Sequence, residues 1–230
     1  GELFTFDSDM EWDVGLPWYR PTRICHLTSG AEFGWRHGSG KWPVWAPDSL
    51  AGLVDLGLTS PTGVCFGYGT NFPRSYHDAL FACDWAYGTI YAVHLTPEGA
   101  SYSATAEPFC VGEPLPVTDT AVGPDGALWF TTGGRRTQSG VYRILYEGPI
   151  SDTDHADVHF PLADLRVRLE ALHSPGADGA VEAAWPHLGH ADRHIRFAAR
   201  TAIEHQDPAT WQERALAESD PLAAAHGLIA

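Results

Sequence analysis

Residues 79–93 read ALFACDWAYGTIYAV, and residues 127–144 read ALWFTTGGRRTQSGVYRI. In each stretch a short apolar run is followed by a turn-like gap and then by a second apolar run that begins after a glycine, which predicts two strands joined by a loop. The first leucines of the two stretches, Leu80 and Leu128, lie 48 residues apart. That offset falls within the period of ~40–50 residues that is typical of β-propeller blades.

Short strands recur between turn signals in the first two thirds of the chain, and no helical pattern interrupts them. This favours a β-propeller of four-stranded antiparallel blades over a βαβ sheet and over a sandwich. The sequence predicts about three blades: residues 1–57 without a first strand, residues 61–109 complete, and residues 117–146 without a last strand. The predicted strands are Leu3–Phe6, Arg23–Leu27, Leu53–Leu56, Gly63–Phe66, Ala79–Cys83, Ile90–Leu95, Tyr102–Phe109, Ala127–Thr131 and Val141–Tyr146.

The composition changes near residue 150. Residues 1–150 contain seven of the nine Trp, all eight Tyr and 20 of the 24 Gly, whereas the remainder is rich in Ala, Leu, Arg and His. The sequence therefore predicts a partial propeller over 1–147, a polar linker over 148–160 and an α-helical segment over 161–230. The predicted helices are Asp164–His173, Ala180–Leu188 broken by Pro186, Asp192–His205 capped by Asp192, Trp211–Glu218 capped by Thr210, and Pro221–Gly227 capped by Asp220.

The predicted propeller is incomplete. Closed propellers have ~4–8 blades, so an arc of about three leaves open sheet edges with unpaired backbone groups. We therefore expect the chain to be a fragment, with further blades upstream of residue 1 and further helices downstream of residue 230.

The charge balance bears on possible partners. The formal net charge is −15, from 14 basic and 29 acidic residues. This speaks against a nucleic-acid or anionic-membrane partner, since both need a basic face. No stretch approaches the ~20 consecutive apolar residues of a membrane span. The four cysteines show no C-x-x-C spacing, which excludes zinc-ribbon and c-type haem attachment motifs within this chain.

Three loops occupy equivalent places in the predicted blades, between the second and third strands: Asp7–Asp13, Asp84–Tyr87 and Gly133–Gln138. Equivalent loops of a propeller emerge on one face near the axis, so we expect these three to converge. The first loop has carboxylates at alternate positions, which suits the ~6–8 oxygen ligands of Ca²⁺. The alternative is a solvated acidic turn. The candidate metal ligands are Asp7, Asp9, Glu11 and Asp13.

The same loops supply candidate ligand-binding residues. Two adjacent arginines in the third loop offer planar donors for a carboxylate or a hydroxyl-rich ligand; the alternative is an ion pair with the acidic loop. Two further arginines flank Trp18-Tyr19, a combination that suits stacking on a sugar ring or packing within a blade. The candidate residues are Arg20, Arg23, Asp84, Trp85, Arg135 and Arg136.

Several motifs resemble the soluble glucose/sorbosone (aldose sugar) dehydrogenases. The sequence PDGAL at 124–128, followed by GVYRI at 140–144, resembles the closing blade of that family. The sequence SPTG at 60–63 matches its Ser-Pro-Ser-Gly, and SGAEFGW at 29–35 resembles its Gly-x-Asn-Tyr-Gly-Trp stretch.

The chain resembles one branch of that family more closely. It comprises large, secreted, planctomycete-type "membrane-bound dehydrogenase"-like proteins, in which a propeller precedes HEAT-type helices and often a c-type cytochrome module. The motifs that carry this resemblance are DMEWD at 9–13, PWYRPTR at 17–23 and GRRTQSG at 134–140. In the helical segment, residues 193–200 resemble the second half of a HEAT repeat.

The resemblance implies a six-bladed propeller with pyrroloquinoline quinone and Ca²⁺ on one face. The implied activity is oxidation of a sugar or alcohol, a carbohydrate-type substrate, with electrons passed to a c-type cytochrome module, in the periplasm or outside the cell. Where the family has Arg-x-Arg-Asp, this chain has Pro116-Val117-Thr118-Asp119. Only Asp119 matches, as a candidate cofactor-binding residue, so the resemblance does not carry an intact quinone site over to this chain. The alternative function is a non-catalytic propeller–HEAT scaffold that binds glycans or protein partners.

Overall fold

The computed structural model describes residues 1–9, 19–36, 40–134, 136, 138–149 and 160–230. Within these residues, β-strands occupy the first part of the chain and α-helices the last part. The strands are β1 (Leu3–Asp7), β2 (Thr22–Leu27), β3 (Trp35–Arg36), β4 (Gly40–Lys41), β5 (Val54–Gly57), β6 (Pro61–Phe66), β7 (Leu80–Asp84), β8 (Thr89–Glu98), β9 (Ser101–Val111), β10 (Val117–Val122), β11 (Leu128–Thr132) and β12 (Gly140–Ile144).

The strands form three antiparallel sheets in chain order. The first sheet has the order β1-β2-β5, the second β6-β7-β8-β9 and the third β10-β11-β12, while β3 and β4 form a separate hairpin. The predicted distribution of strands is therefore observed, with three, four and three strands in successive sheets. Three antiparallel sheets followed by helices confirm the coarse prediction. Between Gly30 and Val111 the described residues contain one 3-10 turn, Arg74–Tyr76, and no α-helix.

One strand of each sheet, β1, β7 and β11, shares a pattern that bears on how the sheets stack. They read LFTFD (β1), LFACD (β7) and LWFTT (β11). In β7, Leu80 and Ala82 pack with Phe6 and Ile24 of the first sheet. Because side chains alternate between the faces of a strand, Phe81 and Cys83 point the other way, where they pack with Leu128 and Phe130 of the third sheet. The second sheet is thus buried on both faces.

Some strands and boundaries differ from the predictions. The sequence did not indicate β3, β4 or, as a separate strand, β10, whose residues VTDTAV are largely polar. The other strands begin and end within three residues of their predicted bounds. The polar character of β10 reflects its position, because Val117 and Thr120 are buried while the residues between them are exposed.

The second and third sheets approach most closely at Gly63. A Cβ atom at this position would lie 2.7 Å from the Cα of Asp119 and would also meet its carboxylate. Next to Gly63, the Thr62 hydroxyl donates to the Val117 carbonyl across the interface at 2.9 Å. A glycine is therefore required here by backbone approach rather than by a turn.

The helices are α1 (Pro161–Glu170), α2 (Ala180–Ala184), α3 (Arg193–Glu204), α4 (Gln212–Ala217) and α5 (Pro221–Ile229). The apolar residues that recur at helical spacing along α3 form a buried stripe: Ile195, Ala198, Ala199, Ala202 and Ile203. In α3 the Asp192 carboxylate accepts from the amides of His194 and Ile195, as an N-cap does. Asp220 caps α5 in the same way. None of the described helices is long and apolar enough to cross a membrane.

The predicted break of the Ala180–Leu188 helix at Pro186 is observed: α2 ends at Ala184 and continues as a 3-10 turn, because Pro186 has no N–H to donate. One cap prediction is wrong. Thr210 does not cap α4: it ends a 3-10 turn, Pro208–Thr210, and its hydroxyl donates to the Asp207 carbonyl at 2.7 Å. Trp211 occupies the cap position, and its side chain makes no capping hydrogen bond to the amides of α4.

The helices dock on the sheets at the turn between β8 and β9. The Ala100 amide donates to the Asp192 carboxylate at 2.9 Å, and the Ala100 carbonyl accepts from Arg166 Nε at 2.8 Å. A second contact is made by Arg193, whose guanidinium donates to the carbonyls of Val44, Ala46 and Ser49. Polar groups of the backbone therefore fix the helices to the sheets.

We expect Gly63→Ala to lower the free energy of unfolding by about 2 kcal/mol, because the added methyl group has to push the second and third sheets apart. Chemical denaturation of the wild type and the variant would measure the difference. Gly227→Ala is the matched control: Gly227 lies in α5, a Cβ there would make ordinary contacts of 3.5 Å or more with Trp185, Leu188 and Ala215, and we expect the change to be neutral or stabilising. Equal effects of the two changes would contradict the close approach at Gly63.

Candidate functional site

The second and third of the predicted loops lie side by side. The Trp85 indole N–H, in the loop after β7, donates to the Gly133 carbonyl, in the loop after β11, at 2.6 Å. The structure therefore brings these two loops together at one end of the sheets. Residues 10–18, 135 and 137 lie outside the described part.

Asp7 is bound by groups of its own sheet and of the β3–β4 hairpin. Its Oδ2 accepts from Arg23 Nε at 2.9 Å and lies 3.5 Å from Lys41 Nζ. Its Oδ1 accepts from the Trp35 indole at 3.0 Å. Both carboxylate oxygens are thus occupied by protein donors, so this member of the predicted Ca²⁺ set is neutralised by cations of the chain itself.

The cations around Asp7 are buried. Arg23 is 4% exposed, donates a further hydrogen bond to the Phe33 carbonyl and lies 5.7 Å from the centre of the Phe33 ring. Lys41, the single lysine of the chain, is also 4% exposed and donates to the Pro21 carbonyl at 2.9 Å. Burial lowers the pKa of Lys41, and the Asp7 carboxylate opposes that shift. Of the two alternatives for Arg23, the structure shows packing within the sheet.

Asp9 contacts Tyr19, which lies beyond the predicted loop, just before β2. Its Oδ2 accepts from the Tyr19 hydroxyl at 3.3 Å, and the same hydroxyl lies 3.1 Å from the Gly57 carbonyl. Burial, followed by the charge of Asp9 and its hydrogen bond, raises the pKa of Tyr19 to about 12. Arg20 donates to the Tyr19 carbonyl at 3.3 Å. The remaining candidate ligands, Glu11 and Asp13, lie outside the described residues.

Asp84 and Trp85 form a rigid corner in the second loop. Asp84 is fully buried, and its Oδ1 accepts from the amides of Ser60 and Ala86 at 2.8 and 2.9 Å. These bonds hold the turn that carries Trp85, whose side chain is 38% exposed. Asp84 Oδ2 has no hydrogen-bond partner among the described residues. Asp84 therefore positions the loop, and Trp85 is the member of the pair that a ligand can reach.

The candidates on the third sheet are separated from one another. Asp119 lies on β10, and its Oδ1 accepts from the adjacent Thr120 amide at 2.9 Å. Arg136 is exposed, and its φ of 65° places it in the left-handed region. Arg135 lies outside the described residues. The predicted arginine pair is therefore described at one of its two positions.

An open groove of about 960 Å³ lies between Trp85 and the end of the third sheet. Its volume is in the range of small-molecule sites. The Thr118 hydroxyl lies 2.8 Å from the Thr131 hydroxyl at its wall. No charged side chain lines the groove among the described residues. The lining residues are Trp85, Thr118, Thr131, Thr132, Gly133, Gly134, Ser139, Gly140 and Val141.

Sequence reasoning missed the hydroxyl residues of this groove. Thr118 and Thr131 look like ordinary strand residues, and Ser139 like a loop residue. The available signal was position: Thr118 stands where the resembled family has the second arginine of Arg-x-Arg-Asp. A search for clusters of three or more His, Cys, Asp or Glu that could hold a metal ion finds none among the described residues.

The comparisons with known proteins do not show which family this chain belongs to. No protein-family model matches the chain, and no curated protein matches it. One solved structure that matches is an oxidoreductase (glucose dehydrogenase) from Thermus thermophilus, an assignment that is itself provisional. It is 20% identical, with a TM-score of 0.49, and the match covers 63% of this chain and 41% of that one. At this level the likeness carries no argument about function.

We expect Arg23→Met to lower the free energy of unfolding by about 3 kcal/mol, because it leaves the half-buried Asp7 carboxylate without its closest cation. Arg20→Met is the matched control: among the described residues Arg20 donates to the Tyr19 carbonyl alone, and we expect a change below about 1 kcal/mol. Urea unfolding of both variants measures the two effects. A stable Arg23→Met variant would show that Arg23 is free to serve a ligand.

Proposed function

We propose that the three sheets are consecutive blades of a β-propeller of the glucose/sorbosone dehydrogenase type, and that the groove beside Trp85 binds a carbohydrate-type molecule. The stacking of the sheets supports the first part. In β7, Phe81 and Cys83 face the following sheet, and Leu80 and Ala82 face the preceding one. This is the relation that successive blades have around an axis.

The single observation that carries the binding proposal is the chemistry of the groove. Trp85 offers an indole face at one side, and Thr118, Thr131 and Ser139 offer hydroxyl groups at the other. Sugar rings present apolar faces that stack on aromatic rings and hydroxyls that exchange hydrogen bonds with neutral partners. The hydrogen bond from Trp85 to Gly133 fixes the ring before a ligand arrives, which lowers the entropic cost of binding.

The described lining residues of the groove do not offer the partners that pyrroloquinoline quinone needs. That cofactor carries carboxylates, which call for cationic partners, whereas these residues are neutral and Thr118 stands in place of a family arginine. A Ca²⁺ ion in the acidic loop remains a proposal, and it would have to draw on Asp9, Glu11 and Asp13, since Asp7 is bound by Arg23 and Trp35.

Two versions of the whole protein share this groove. In the first, a periplasmic or secreted sugar or alcohol dehydrogenase oxidises the bound molecule and passes electrons to a c-type cytochrome module. In the second, a non-catalytic scaffold of propeller and HEAT-type helices holds a glycan or presents it to a protein partner. The neutral lining favours the second version. In both versions this chain is part of a longer protein, and its helices are the start of a HEAT-type array.

The binding proposal predicts that Trp85→Ala weakens the affinity for a neutral sugar at least about tenfold, since loss of one aromatic stack costs about 1.4 kcal/mol or more. Isothermal titration calorimetry with glucose and cellobiose, on a protein that contains the complete propeller, measures this. Trp85→Phe should retain part of the affinity. Trp45→Ala is the matched control, because Trp45 is 78% exposed and is not one of the groove residues.

Equal losses in the Trp85→Ala and Trp45→Ala variants would refute the groove as the binding site. The two versions of the protein are separated by a second assay, which follows sugar-dependent reduction of an artificial electron acceptor with and without added quinone and Ca²⁺. Reduction that depends on the quinone would establish the oxidoreductase version and overturn the argument from the neutral lining. Binding without reduction supports the scaffold.

A further inference from the structure

A buried charged cluster lies where the helices meet the sheets, and it is independent of the carbohydrate proposal. It consists of Glu2 beside β1, His26 on β2, Ser101 on β9, and Arg166 with Glu170 on α1, and is called the junction cluster below. His26 is 1% exposed and Arg166 is 2% exposed. The first sheet, the second sheet and α1 each contribute at least one member.

His26 is hydrogen-bonded at both ring nitrogens. Its Nε2 lies 2.9 Å from the Glu2 carboxylate, and its Nδ1 lies 2.8 Å from the Ser101 hydroxyl. An ionised carboxylate can only accept, so Nε2 carries a proton, and in a neutral imidazole Nδ1 then accepts from the serine. Ser101, His26 and Glu2 are thus hydrogen-bonded in the order found in the catalytic triad of serine hydrolases. Ser101, however, is 2% exposed, so the arrangement joins elements of the fold and does not meet a substrate.

Arg166 carries the same network into the helices. Its guanidinium donates to Glu2 at 2.5 Å, to Glu170 at 2.7 Å and to the Ala100 carbonyl at 2.8 Å. Glu2 therefore bridges a histidine of the first sheet and an arginine of α1. Removal of its charge takes a partner away from both cations at once.

A second imidazole lies against the cluster. The ring of His194, in the first turn of α3, is centred 6.3 Å from that of His26, and the charges of Arg166, Arg193 and Asp192 act on it. The other groups that face Glu2 are Tyr102 of β9, His26 and Arg166. A proton added to His194 therefore places a new positive charge beside two guanidinium groups and a second imidazole.

We propose that the junction cluster is an acid-released contact, which holds the helical segment on the sheets near neutral pH and weakens that docking as the solution becomes acidic. The cluster depends on an ionised Glu2 and on a neutral His194, and acid changes both in the unfavourable direction. The apolar clusters inside the sheets and inside the helices carry no charge that acid changes. The buried His226 of the helical segment does gain a charge in acid, so its variant is needed to separate loss of docking from unfolding of the helices.

The pKa of His194 and the pKa of Glu2 are both lowered, and both shifts make the docking weaker as the solution becomes acidic. Burial is the largest of the effects that lower the pKa of His194 to about 4, from 6.5 when free, so docking is fully stable above pH 6.5 and weakens as the pH falls towards 4. The hydrogen bond from His26 is the largest of those that lower the pKa of Glu2 to about 2, from 4.5 when free, so its contribution is lost between pH 4.5 and 2. His194 therefore titrates first.

The test is small-angle X-ray scattering of this chain with in-line size exclusion, combined with far-UV circular dichroism, from pH 7 to pH 3. In-line separation is needed because the isoelectric point is about 5.0. We expect the radius of gyration to increase below pH 6 while the helical signal persists. From the His194 shift alone, docking at pH 4 should be weaker on the order of 100-fold.

Three variants separate docking from general stability. His194→Leu should move the midpoint of the expansion to lower pH, and Glu2→Gln should move it to higher pH. His226→Leu is the matched control, because burial also lowers the pKa of His226 to about 4, but this residue packs within the helical segment. It should change the pH at which the helical signal is lost and leave the expansion unchanged. Expansion and loss of helix in one step, at the same pH in all variants, would overturn the proposal.

Discussion

The turn between β8 and β9 is the constraint on which the arrangement of sheets and helices depends. One peptide unit, Ala100, is fully buried, and both of its polar groups are satisfied by helical residues, Asp192 and Arg166. A buried peptide group without such partners would cost several kcal/mol, so the turn and the helices require each other. Gly99 makes the approach possible: it has a φ of 58°, and a Cβ there would collide with the Asp192 carboxylate. Asp192 thus caps α3 and anchors the turn with the same side chain.

At the opposite end of the sheets, the candidate site depends on how the sheets are spaced. Apolar contacts set the distance between sheets, and Gly63 allows the second and third to come closest. That distance places Trp85 of one sheet within hydrogen-bond reach of Gly133 of the next. The groove therefore exists only between two sheets, and neither sheet alone contains it.

Most of the architecture could be predicted from local pattern, and most of the site could not. The sequence pattern around Leu80 recurs around Leu128, and the apolar residues of α3 recur at helical spacing. Strands and helix can therefore be predicted from residues that are close together in the sequence. Asp7, by contrast, receives one partner from Arg23 on β2 and two from Trp35 and Lys41 of the β3–β4 hairpin, which has no strong sequence signal. The alternating carboxylates suggested a metal-binding loop. The sequence pattern could not show that Arg23 already forms an ion pair with Asp7.

Lys41 gives the protein a reporter of its own. The chain has a single lysine, and its ammonium group is enclosed by Asp7, the Pro21 carbonyl and the face of Trp35. A reagent that acylates lysine side chains can modify this residue only when the corner around Asp7 opens, since the folded state keeps it from solvent. The rate of that modification therefore measures the local opening of one corner of the first sheet, at the edge of the candidate site, without an introduced label.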